Sequence, residues 1–153
     1  MTDFVHPFFK ATQEVFRLML DLEIEKSAVP SEEEGLRSKA VYVSIGIVGD
    51  LEGSINYCFP ESMTLEMVRI LSGMEMAELD DFVASALSEM VNIISGNAVT
   101  DLFVSQYTCD ILPPAVEVSD RRADWGESGK LLRLETAIGP MEVDIRLSRT
   151  KSA

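Results

Sequence analysis

Ser85, Glu89, Asn92 and Gly96 recur at i, i+4, i+7 and i+11 within the stretch 81–97. On a helix turning about 100° per residue these four share one side. Val83, Leu87, Met90, Val91, Ile94 and Ala98 share the other. The polar side is selective: no Lys or Arg occurs from Leu71 to Val118. A carboxylate and a carboxamide therefore project together with no cation on their own helix. A carboxamide both donates and accepts hydrogen bonds without adding charge, and a carboxylate accepts them or pairs with a cation. The small Ser85 and Gly96 leave the backbone beside them approachable. Such a surface is suited to entering another protein's active site. On a helix taken alone, Glu and Asn three residues apart are more simply a solvated face, with Ser85 and Ser88 as surface filler. Both readings stand at this point.

Other chemistries fare worse. His6 is the only histidine and sits beside Pro7 at a helix start, which leaves little for a Ser-His-Asp or Cys-His group. Cys58 and Cys109 lie far apart in apolar, strand-like surroundings and read as buried free thiols. With one histidine they make no zinc site, and no metal is expected. Gly46 and Gly49 match no phosphate-cradling loop. The 26 acids against 13 bases give a net charge of −13, which repels phosphate backbones and anionic lipid. Neither nucleic acid nor a membrane is an expected partner. No uninterrupted apolar run reaches the roughly 20 residues of a membrane helix. The start Met1-Thr2-Asp3-Phe4 lacks the features of a signal peptide. The expected location is the cytoplasm. The eight methionines read as core filler.

The elements that must position the stripe follow from pattern. A first helix is predicted over about Val5 to Leu20, with Pro7 in its first turn and Phe8, Val15, Met19 and Leu22 as its apolar stripe. Leu22 to Val29 alternates as a half-buried strand, and 30–35 is a solvated acidic turn. Val41 to Val48 and Ser54 to Phe59 form a hairpin closed by Pro60. Ser62 caps a short helix through Leu71, with Gly73 past its end. Asp80 or Asp81 caps the long helix, which fades between Asn97 and Phe103. Tyr107 to Leu112 is extended and stops at Pro113-Pro114; Val116 to Val118 is a short strand. After a polar connection, 121–130, that contains Trp125, Leu131 to Ala137 and Met141 to Ser148 form a closing hairpin.

The 153 residues suit a single domain, 1–153, and its halves, about 5–60 and 80–148, echo one another. Each runs long helix, extended segment, loop, hairpin. Lys10-x3-Glu14-x2-Arg17 answers Ser85-x3-Glu89-x2-Asn92, so one functional face survives. About six strands and three helices make a two-layer α/β (α+β) fold. Its sheet is largely antiparallel, with the helices on one face. The hairpins alternate only partly, so the other face is expected to be partly exposed or used in dimer formation.

Ser85-x3-Glu89-x2-Asn92, followed about twenty residues later by Pro113-Pro114, resembles the signature of the CheC/CheX/FliY phosphatases of bacterial chemotaxis. The resemblance covers about Val5 to Leu147. His6-Pro7-Phe8 leading into a Phe-rich helix, the single intact motif and the length resemble the CheX branch. The resemblance implies hydrolysis of the phosphoaspartate of a phosphorylated CheY-type response regulator. It also implies a fold built from a duplicated unit, and a homodimer with one active helix per subunit. Arg17 stands where a second motif copy would need its amide.

Within that resemblance the roles divide as follows. An aspartyl phosphate is already activated, and its hydrolysis needs a water held in line with the breaking P–O bond. The receiver brings the metal and the groups that bind the phosphoryl oxygens, so no cofactor of the protein's own is expected and magnesium belongs to the partner. Asn92 positions the water. Glu89 forms a salt bridge to a lysine of the partner's site. Ser85, Ser88 and Gly96 belong to the partner-binding face. Pro113 or Pro114 shapes the loop after the helix. The alternative is a non-catalytic module that binds a receiver or a flagellar switch component with the same helix, or a switch-type protein that has kept only the fold.

Overall fold

The computed structural model describes residues 4–27, 39–119 and 129–150. The acidic turn at 30–35, Trp125 and most of the 121–130 connection lie outside these residues. Seven strands are described: β1 (Glu25–Lys26), β2 (Ala40–Gly49), β3 (Leu51–Pro60), β4 (Cys109–Ile111), β5 (Ala115–Ser119), β6 (Lys130–Thr136) and β7 (Gly139–Arg149). They form one antiparallel sheet in the order β1-β6-β7-β3-β2-β4, with β5 also paired to β2. Helices α1 (Val5–Val15), α2 (Glu61–Ser72) and α3 (Asp81–Val104) cover one face. The expected two-layer antiparallel α+β fold is present, and each of its seven strands overlaps a segment read as extended.

Strand alternation builds the layer. Val41, Val43, Ile45 and Ile47 of β2 face the helices, as do Leu51, Ile55, Tyr57 and Phe59 of β3 and Met141, Val143 and Ile145 of β7; all are buried. In register, Ile45, Ile55 and Ile145 lie side by side, and Val43, Tyr57 and Val143 form the next row. Gly53 (φ +142°) lets β3 and β7 approach, because a Cβ there would strike the carbonyl oxygen of Arg146.

Four readings change. The first helix does not stay α-helical to Leu20: Phe16–Leu20 is a π turn ending at Asp21, which is left-handed (φ 56°). The wider turn rotates Met19 outward to 37% exposure and turns Phe16 and Leu20 inward. The strand expected over Leu22 to Val29 is β1 alone in the described residues, because Ile24 turns into the core and its carbonyl accepts from the Gln13 side chain at 3.2 Å. Ser62 is no N-cap. Helix α2 starts at Glu61, whose N–H is satisfied by the Lys39 carbonyl at 2.9 Å. Cys109 is half-buried, while Cys58 is buried, and neither is in a disulfide.

The sheet face away from the helices is partly exposed, as expected, yet four of its positions are closed off. Ala40, Cys58, Glu142 and Asp144 are only 0–3% exposed. Their polar groups are joined across strands. Ser44 donates to Asn56 Oδ1 (2.7 Å), the Asn56 amide donates to Asp144 Oδ2 (3.3 Å), and Arg146 Nε donates to the same carboxylate. One row along, Arg133 pairs with Glu142 at 3.8 Å. Buried charge is tolerated because each group meets a complement.

A polar contact between two side chains crosses the apolar layer between sheet and helices. The Tyr57 hydroxyl and Ser95 Oγ lie 3.0 Å apart, both residues fully buried. Burial drives the Tyr57 hydroxyl's pKa far above its ordinary value, an effect the Ser95 hydrogen bond partly offsets, so the group stays protonated. Removing either partner strands the other. Tyr57→Phe and Ser95→Ala should each cost about 1–3 kcal/mol. In urea melts the double variant should cost less than the two singles together, by ~0.5 kcal/mol or more.

Candidate functional site

Helix α3 begins at a built cap: Asp80 Oδ1 accepts the Val83 N–H at 3.0 Å. It ends at Val104, one residue past the expected fade over Asn97 to Phe103. Its buried side is Val83, Leu87, Met90, Val91, Ile94, Ser95, Ala98 and Leu102. By length and hydropathy α3 matches a membrane span. Here that apolar side packs on α1, α2 and the sheet, and the helix carries Asp81, Glu89 and Asp101.

The outward side holds the stripe. Ser85 and Glu89 are exposed; Ser88, Asn92 and Gly96 are half-buried. The structure brings all five onto the open flank of one helix. Among the described residues, none donates to or accepts from the Asn92 carboxamide or the Glu89 carboxylate. Both groups are thus available to something outside the chain. Gly96 is informative in the same way. A Cβ at this position would meet nothing within 4 Å, so no contact of the chain itself demands glycine there. Glycine in a helix interior costs about 0.5–1 kcal/mol against alanine.

Helix α1 flanks the C-terminal half of α3. Lys10 pairs with Asp101 at 3.7 Å, and Pro7, Lys10, Ala11 and Glu14 line a shallow cleft with Asn97 and Asp101. The described part of α1 ends in the π turn with Arg17 exposed. Pro113 and Pro114 lie in the break between β4 and β5, both of which pair with β2. There the Leu112 N–H donates to Gly46 and its side chain lies over that glycine. With no N–H of their own, the prolines end one short strand before the next begins.

The pattern reading found the stripe and missed its anchor. Ser95 falls on the apolar side of α3, four residues after Val91, and Tyr57 falls in the helix-facing register of β3. A hydroxyl in each of two apolar stripes was the available signal.

The two-layer fold offers an unpaired acid and amide from an open helix flank, a surface available to a partner outside the chain. Comparison with known proteins supplies the class. The family model for the chemotaxis phosphatase CheX matches residues 41–122. The CheY-P phosphatase CheX of Thermotoga maritima is 31% identical over 147 residues, 94% of each chain. The chain belongs to the chemotaxis phosphatase CheX family. The CheX-CheY-BeF3-Mg complex from Borrelia burgdorferi contains a chain 28% identical, with a TM-score of 0.77, covering 97% of this chain and 100% of that one. The crystal structure of chemotaxis protein CheX from Vibrio vulnificus, 22% identical, shares the fold with a TM-score of 0.83 over 96% of this chain and 100% of that one.

Gly96→Ala should raise stability by about 0.5–1 kcal/mol in chemical denaturation, because the added methyl enters open space and the unfolded chain loses freedom.

Proposed function

We propose that this protein is a phosphatase that hydrolyses the phosphoaspartate of a CheY-type response regulator. The observation that carries the reading is the Glu89 and Asn92 pair, presented without an internal partner on the open side of α3 in a chain of the CheX family. The curated relative from T. maritima, named as acting on CheY-P, supports the substrate.

The chemistry asks little of the protein. Water attacks phosphorus in line, the P–O bond to the aspartyl carboxylate breaks, and inorganic phosphate departs. Asn92 supplies an amide that accepts from and donates to that water while adding no charge beside the phosphoryl group. Glu89 serves as a tether, pairing with a lysine of the receiver, since a carboxylate close to the phosphoryl oxygens would repel them. Ser85, Ser88 and Gly96 let the partner's backbone come close. Magnesium in this reading belongs to the receiver, in keeping with the Mg in the B. burgdorferi complex. No step needs a cofactor held by this chain.

The wider reading is a single cytoplasmic domain, 1–153, that forms a homodimer with one active helix per subunit. It is built from two related halves, 5–60 and 80–148. The sheet order supports the duplication. Strands β3 and β7 are central, β2 and β6 lie outside them, and the segment after each long helix pairs with the hairpin of the other half. Light scattering in solution should return twice the 16.9 kDa of the chain.

Phosphate release from phosphorylated receiver tests the function. Wild type should accelerate it. Asn92→Ala should lose ~10²-fold in rate while still binding, since positioning of this kind is worth several kcal/mol. Glu89→Ala should lose both rate and binding, because truncating a desolvated charge contact costs roughly 2–5 kcal/mol. Slow dephosphorylation unchanged by either substitution would identify a non-catalytic binder.

A further inference from the structure

Phe82 is 48% exposed in the first turn of α3. It has no aromatic partner among the described residues, and its ring contributes little to the core. On the helix surface it lies within about 20° of Glu89 and about 60° of Ser85, so it continues the same stripe. Along the axis it is about 10 Å from Glu89 and about 15 Å from Asn92 at a rise of 1.5 Å per residue.

We infer that Phe82 is the apolar anchor that docks the phosphorylated receiver, setting affinity while Asn92 sets rate. The inference rests on the proposed function and adds a docking residue to it. Three observations commit the position to this occupant. The first is reach. A standard interface buries about 800 Å² on each partner, a patch of about 16 Å radius. A receiver seated over Glu89 and Asn92 therefore covers Phe82. The second is the composition of the known stripe. Ser85, Glu89, Asn92 and Gly96 offer almost no apolar area, and both Glu89 and the phosphoryl group are anionic. Affinity must come from a desolvated anchor beside them, and aromatic residues fill that role most often. The third is charge. Glu75, Glu78, Asp80, Asp81 and Glu89 are all exposed in the surrounding sequence, and no Lys or Arg occurs from Leu71 to Val118. Phe82 thus sits on an acidic ground that fits a receiver surface with an apolar hollow rimmed by lysines, the side chain Glu89 is already assigned to meet.

Leu131 of β6, 43% exposed, pairs in register with Asp144 and so lies on the sheet face away from α3. It is the natural control.

The test uses the CheY-type receiver of the protein's own organism, charged with acetyl phosphate for turnover and with beryllium fluoride and magnesium for binding. Phe82→Ala should raise KM and Kd about tenfold or more with kcat within twofold. Phe82→Leu should restore most of the affinity. Leu131→Ala should leave KM, Kd and kcat within twofold. Circular dichroism melts confirm that each variant is folded. If wild type turns over and Asn92→Ala does not, but Phe82→Ala leaves KM and Kd unchanged or lowers kcat alone, the anchor is wrong while the phosphatase reading stands. Equal losses at Phe82 and Leu131 also overturn it. If wild type neither binds nor turns over the receiver, the phosphatase reading falls and takes the anchor with it.

Discussion

The hydrogen bond between Tyr57 and Ser95 fixes what the rest of the molecule can do. Helix α3 meets the sheet and the other helices through valine, leucine, isoleucine, methionine and alanine side chains, contacts that tolerate small rotations of the helix. One polar pair within that layer does not, because any rotation leaves two buried hydroxyls without partners. Tyr57 stands on a central strand between Val43 and Val143. Ser95 lies next to Gly96 and three residues after Asn92. The pin therefore sets the angle at which the amide and the acid face outward, from a position that touches neither.

The second layer of order is on the far side of the sheet. The rows Ser44–Asn56–Asp144 and Tyr42–Cys58–Glu142–Arg133 run straight across neighbouring strands. An amide, two carboxylates and two guanidinium groups neutralise one another there, so a single-residue slip of β7 would bury charge without a complement. Core packing on one face and polar pairing on the other thus specify the same register. The sheet can then serve as a rigid floor for α3.

How legible this was depended on whether a feature repeats. The stripe on α3 could be read because its residues recur at the helical period over about three turns. The two hairpins could be read because β-branched residues alternate and glycine punctuates them. The π turn at Phe16–Leu20 leaves no period to detect, and the left-handed Asp21 that ends it is set by packing rather than by a glycine. Likewise Glu142 and Asp144 alternate with core residues as a solvated face would, and only the cross-strand partners reveal that they are buried. Within the site, residue types on the helix were readable. The Tyr57–Ser95 contact joins positions 38 apart and becomes visible only when strand and helix are laid together.

The two prolines after β4 have an effect beyond shaping a loop. Had 109–119 run as one strand, the outer border of β2 would carry a long unbroken row of amide and carbonyl groups, ready to recruit a stray chain. Instead three residues of β4 and five of β5 stand apart, separated by Leu112 and two prolines that cannot donate. Self-templated aggregation along that border is thereby denied a continuous scaffold.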